Sequence, residues 1–316
     1  MENKRIPWID VAKGIGMILV VLGHTFYGGR TLIYIFHMPL FFFCSGLFSK
    51  NSESLKVREK LLKCIKSLLI PYFIYAAISP IIEYSISGVE WSYKDLIYKI
   101  IMGRRGDLDF NAVLWFLPTL FCVELIYYLI KKLLKNYFFI VPFVICIAFA
   151  FHCFFNNSKW LWGLDNAGYY VLYFALGDIF SRFLTEKKVM NILCGVSSII
   201  LVVVFCNVSY WTNIVATTEE LHVTVRSSID IVLAIIGILG VVGIAKGLSN
   251  NMILSNIGRY SLPIMVYHVF IIEGIAYLFM AFGWTVNQAS FSYCVFVTIL
   301  SIALICIFKK LSIKNE

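Results

Sequence analysis

Three ionisable side chains stand inside the first apolar segment, WIDVAKGIGMILVVLGHTFY: Asp10, Lys13 and His24. Charge in such a run is costly and is kept for a reason, so the three read as a site. At about 100° per residue, Lys13 and His24 lie roughly 20° from a whole number of turns, and Asp10 and His24 roughly 40°. All three therefore share one helical stripe, which extends about 21 Å along a bilayer core of about 30 Å. An imidazole whose ordinary pKa is near 6.5 can take a proton from a hydroxyl at neutral pH, which makes His24 a candidate general base. Asp10 reads equally as a partner for Lys13 and as a first-turn carboxylate at the positive end of the helix. A second apolar run, IYIFHMPLFFFCSGLF, adds His37. Only a few residues around Gly28 and Gly29 separate the two runs, so they are expected to be antiparallel neighbours with His24 and His37 at similar depth. Such a pair can share a proton, position a hydroxyl or tie two helices together. No third ligand lies near them in sequence, so a metal is not expected.

The elements that must hold these residues follow from composition. In 316 residues, 60% are hydrophobic and 14% charged, and the mean hydropathy is +0.84. That excludes a soluble fold and points to an all-α, polytopic transmembrane bundle. Apolar runs long enough to span number ten, at roughly 8–27, 31–48, 66–86, 112–131, 137–154, 164–184, 189–210, 227–246, 260–281 and 289–308. Asp10 and Lys13 interrupt the first run and no small-residue cleavage site follows, so it is read as a retained helix rather than a signal peptide. The nine cysteines lie in or beside apolar runs without metal-type spacing and read as packing residues. The net charge of +9 falls in short patches between spans rather than in a nucleic-acid-binding stripe. With the amino terminus inside, 20 basic residues lie on the inner side and seven on the outer, which places both termini in the cytoplasm. The densest inner patch is Lys50, Lys56, Arg58, Lys60, Lys63 and Lys66. It reads either as a topology and lipid-headgroup signal or as a hold on a phosphorylated ligand. The segment YKDLIYKIIMGR at 93–104 reads as an outer interfacial helix. One membrane domain is expected over residues 1–316, with no soluble appendage.

The strings IDVAKGIGMILVVLGH, IFHMPLFFFCSGLF and KCIKSLLIPY together resemble the opening of the acyltransferase-3 family of integral membrane acyltransferases, in particular its branch similar to fucose 4-O-acetylases. Looser likenesses follow in LWFLPTLFCVELIYY at 114–128 and GRYSLPIMVYHVFI at 258–271. The resemblance implies transfer of an acetyl group from cytoplasmic acetyl-CoA to a sugar hydroxyl of an envelope glycan, possibilities including a lipid-linked one. It implies that His24 is the catalytic histidine. Lys13 stands where the wider family commonly has Arg, and Lys63 and Lys66 stand where it has an R-x-x-R pair. Both departures keep the charge but lose the bidentate fork that suits phosphate.

On this reading Lys13, Lys63 and Lys66 bind the donor, and His24 activates the acceptor with His37 and Asp10 as accessory catalytic groups. Direct attack by the sugar hydroxyl and a covalent acetyl-histidine both stay open. Glu124, Trp115 and His268 are assigned to the substrate cavity, each with a plain packing or hydrogen-bonding role as the alternative. His152 and His222 are expected to be solvated, and Trp160, Trp162 and Trp211 to lie near outer span ends. Two readings from other classes stand beside this one: a transporter or flippase of a lipid-linked glycan, and an inactive interaction protein on the same fold. Fucose or a related deoxysugar, another hexose, an amino sugar and a lipid-linked repeat unit all fit as acceptor, and a succinyl donor fits as well as acetyl.

Overall fold

The computed structural model describes residues 6–26, 30–155, 158–181, 188–205, 219–283 and 290–314. The expected turn at Gly28 and Gly29 and the position of Trp211 lie outside these residues. The described chain is all helix, as the hydropathy pattern requires, and each of the ten expected runs is helical over most of its described length. Six helices are long and apolar enough to cross a membrane: Pro7–Thr25, Val57–Ser87, Ala112–Leu134, Tyr137–Phe154, Ser228–Gly247 and Ser261–Ala281. Ten spans is therefore more than these helices establish. The helices at Arg30–Gly46 and Leu164–Phe180 are 17 residues each, and Ile192–Phe205 and Phe291–Ile307 are shorter apolar stretches.

The chain divides into two compact units. The first comprises residues 1–41, 185–215 and 229–316, and the second residues 42–184 and 216–228. In the first unit, α1 (Pro7–Thr25) begins with Pro at its first turn, where the missing amide costs nothing. α2 (Arg30–Gly46) enters this unit with Arg30 to Phe41 and carries Pro39 in its interior, which removes one backbone hydrogen bond. Lipid chains are as apolar as leucine, so helix association there depends on close fit rather than on escape from water. Glycine supplies that fit at one contact. A short helix before Ser261 lies so close to α1 that a Cβ at Gly14 would fall on the carbonyl of Leu254, and one at Gly258 on the carbonyl of Asp10.

In the second unit, α3 (Val57–Cys64) runs through a π-helical turn at Ile65–Leu69 into α4 (Ile70–Ser87). Pro71, just beyond that turn, cannot donate to the carbonyl four residues back and crowds it, and the wider turn before it relieves the clash. α5 (Tyr93–Met102) has no buried residue and forms the helix expected at 93–104. α6 (Phe116–Leu134) continues from a 3-10 turn at Ala112–Trp115. α7 (Tyr137–Phe154) is capped by the Asn136 side chain, which accepts from the Phe138 amide at 2.9 Å. α8 (Leu164–Phe180) closes on the last residues of α2, where Gly46 and Gly177 let the two backbones meet.

The remaining helices are α9 (Lys188–Phe205), α10 (Glu219–Gly247), α11 (Met252–Arg259), α12 (Ser261–Ala281) and α13 (Phe291–Lys314). α10 is 29 residues long, so the backbone at His222 is helical rather than the loop expected there. α11 is the short helix packed on α1, and its Asn251 cap accepts from the Leu254 amide at 3.0 Å.

Candidate active site

His24 lies in the last turn of α1 and is half-buried. Across from it on α12 stands His268, which has no solvent exposure. The two imidazoles meet edge to face, their ring centres 5.1 Å apart at an interplanar angle of 61°. His268 Nδ1 lies 2.8 Å from the Ile264 carbonyl and 2.9 Å from that of Met265. Carbonyls only accept, so Nδ1 carries the proton and Nε2 presents its lone pair. That Nε2 is buried and has no hydrogen-bond partner among the described residues. An unpaired buried acceptor costs stability, so its persistence beside a second titratable ring suits a proton-handling site.

The row extends further. Tyr34 stands 6.3 Å from His24 and 4.9 Å from His37, centre to centre, and Arg30 lies 5.4 Å over the Tyr34 ring while its Nε donates to the Gly23 carbonyl at 3.2 Å. His37 is buried, and its Nδ1 is 2.9 Å from the Ile33 carbonyl, the same i−4 bond that fixes the tautomer of His268. Helix ends α1 and α13 join beside this row, through Thr25 and Thr298 hydroxyls 3.3 Å apart and the Cys294 thiol donating to the Thr25 carbonyl at 3.2 Å. The short connection between the first two runs led to the expectation of similar depth for His24 and His37, and the two rings flank Tyr34. That His268 would be the ring touching His24 needed the register between α1 and α12.

Asp10 is not in this row. It lies fourteen residues earlier on α1, about 21 Å away along the axis, with its Oδ2 3.5 Å from Arg259 Nε of α11. Trp8 at the same end lies under Lys246 Nζ at 5.6 Å. Asp10 thus sits where helix α11 docks on α1, and Lys13 lies half-buried one turn further along.

The second unit holds its own polar cluster. Lys60 is buried and pairs with Glu124 Oε2 at 2.5 Å, and the same oxygen accepts from the Cys64 thiol at 3.2 Å. Both residues line a cavity of about 360 Å³ whose wall also carries Glu53, Lys131, Lys132 and Lys135. Lys63 is exposed and donates to Ser52 Oγ at 3.3 Å, while Lys66 is exposed on the π turn. Neither lines the cavity. Trp115 is buried, with Arg105 5.0 Å over its ring and Tyr170 at 5.8 Å, so it sits in the core of this unit. His152, expected to be solvated, is half-buried and stacks on Tyr169 at 4.4 Å. Asp178 is fully buried, and its Oδ2 accepts from Tyr127 at 2.8 Å, Tyr137 at 2.6 Å and Lys131 at 3.0 Å. Sequence reasoning passed over this residue, although an acid in the apolar run YFALGDIF is itself a signal. Among the described residues no group of His, Cys, Asp and Glu is arranged to hold a metal ion.

No curated protein and no solved structure matches the chain. The family model of an acyltransferase domain does, from residue 6 to residue 310, so it takes in the helix that bears His24 and the helix that bears His268 alike. A membrane protein built this way, matched across nearly its whole length, belongs to the acyltransferase-3 family.

Proposed function

We propose that this membrane acyltransferase is an O-acetyltransferase of the fucose 4-O-acetylase-like branch, taking acetyl from acetyl-CoA and delivering it to a sugar hydroxyl of an envelope glycan. The observation that carries the reading is the contact between His24 and His268. His24 makes no hydrogen bond among the described residues, so its ring nitrogens are available to a hydroxyl. In the direct route, His24 takes the proton of the sugar hydroxyl as its oxygen attacks the thioester carbonyl. The carbon–sulfur bond then breaks, and the CoA thiolate recovers the proton from the imidazolium. His268 limits how His24 turns, and His37 with Tyr34 flanks the acceptor side. In the covalent route His24 itself attacks the carbonyl and the carbon–sulfur bond breaks to release the CoA thiolate; the sugar oxygen then attacks the acetyl-imidazole, freeing His24, and its proton goes to the thiolate. The bias of 20 basic residues against seven supports cytoplasmic termini, with the donor drawn from the cytoplasm.

The test is single-turnover transfer from radiolabelled acetyl-CoA, in purified wild type and His24→Ala. The variant should fold, bind donor normally and lose about 10²–10⁴ of the rate, the usual contribution of a general base. Label on acid-quenched protein before acceptor is added would select the covalent route. Wild-type transfer by a folded His24→Ala protein would reject the assignment and revive the transporter reading.

A further inference from the structure

The cavity of the second unit holds more positive charge than its own carboxylates neutralise. Four lysines line it, Lys60, Lys131, Lys132 and Lys135, against two carboxylates, Glu53 and Glu124. Lys60 is taken by Glu124, and Lys131 by Glu53 and by the buried Asp178. Lys132 has only the Tyr128 hydroxyl at 3.4 Å and the face of that ring at 5.6 Å. Lys135 has no acidic partner among the described residues. Two ordinary causes place cations here: Lys131 and Lys132 lie in the last turn of α6, whose carbonyl end attracts them, and basic residues gather at inner span ends. Neither explains two ammonium groups without an acid in a concavity whose other two are already held by carboxylates.

We propose that this cavity binds the phosphates of a polyphosphorylated ligand through Lys132 and Lys135. The paired Lys60 and Lys131 fix the walls, so the two remaining ammonium groups supply the attraction. Each offers three donors in no fixed geometry, which suits tetrahedral phosphate oxygens, and charge-assisted bonds of this kind are about twice as strong as neutral ones. A volume of about 360 Å³ is at the small end for ligand sites, so it takes a phosphorylated head rather than a whole extended cofactor. Phe174 and Tyr137 add apolar surface for the group the phosphates are attached to. Resting on the donor reading above, that head is the nucleotide end of acetyl-CoA. The same chemistry would also take the phosphates of an anionic lipid.

The test measures binding of CoA, inorganic pyrophosphate, and phosphatidylglycerol presented in nanodiscs, using purified protein. The proteins compared are wild type, Lys132→Gln/Lys135→Gln, Lys132→Arg/Lys135→Arg and Lys63→Gln/Lys66→Gln. Lys132 and Lys135 are exposed, so their substitution leaves the packing intact, which thermal unfolding checks. The Gln pair should weaken CoA and pyrophosphate binding by about tenfold or more, as expected for lost charged hydrogen bonds. The Arg pair should restore it, and the change at Lys63 and Lys66 should cost about threefold or less. Pyrophosphate binding that depends on Lys132 and Lys135, without CoA binding, would uphold the site and reject the donor reading. Dependence on these lysines confined to phosphatidylglycerol would uphold the site with a lipid as its source. CoA bound equally by wild type and the Gln pair would overturn the proposal while leaving the donor reading standing. Binding of none of the three probes to wild type would also overturn it.

Discussion

Two buried acceptors, one in each unit, are treated in opposite ways. Asp178 Oδ2 accepts from two tyrosine hydroxyls and one ammonium group, so its charge is heavily compensated. His268 Nε2 has no partner at all among the described residues. The first arrangement is what a buried charge requires to be tolerated in low dielectric. The second is what a fold retains where an unspent lone pair serves chemistry. Three donors gathered on one oxygen mark a strut, even though Asp178 Oδ1, like His268 Nε2, has no partner among the described residues. It is the second titratable ring beside His268 that singles out the candidate site.

The sharpest way to break this contrast is at Asp178. Asp178→Ala leaves Lys131 with Glu53 alone and takes the acceptor from the Tyr127 and Tyr137 hydroxyls, and should cost about 2–4 kcal/mol of stability. Thermal unfolding in detergent checks it, and an unchanged midpoint would show that the cluster is not structural. At His268 the expectation reverses. His268→Phe keeps an aromatic ring in place and should lower single-turnover transfer by about 10- to 100-fold, roughly 1.4–2.7 kcal/mol of barrier, while KM and the unfolding midpoint hold. A fall in stability with transfer intact would make it another strut.

The smallest effect belongs to the exposed pairs. Lys99 on α5 lies 2.9 Å from Asp95 and 2.7 Å from Asp109, and the hydrogen bonds it donates, first to Asp109 and then to Asp95, hold its ammonium above the ordinary lysine value of 10.5. A raised pKa means the pair contributes at every pH below that ordinary value and is lost only as pH climbs through the raised one. Asp109→Asn should therefore change stability by well under about 1 kcal/mol, uniformly from pH 6 to 8 on the scale of surface ion pairs. A larger or pH-dependent loss in that window would show that α5 is anchored more firmly than its exposure indicates.

Helix positions were legible because a run such as YFFIVPFVICIAFAFHCF has no other stable form in an apolar setting. The stripe of Asp10, Lys13 and His24 was also legible, since one helix fixes its own periodicity. Contacts between helices far apart in sequence were not. Nothing in GRYSLPIMVYHVFI states that His268 will face His24, because that depends on how far α12 slides along α1. The glycines that bring α11 onto α1 are visible only as small residues until the partner backbone is known. Which lysines share a cavity was not legible either. Lys63 and Lys66 stand out as a spaced pair, but the cavity draws its cations from α6 and from Lys60.

The π turn at Ile65–Leu69 carries a consequence for the length of this segment. A π turn is an α-helix holding one surplus residue, so everything before it is out of phase with everything after it by about 100°. Straighten that turn without removing a residue, and Lys60 would swing away from Glu124 while Tyr72 and the rest of α4 kept their places; delete the surplus residue, and both faces would stay where they are. The segment is therefore a phase marker whose residue count matters as much as its residue types. Substitutions within it should be borne far more easily than the insertion of a further residue.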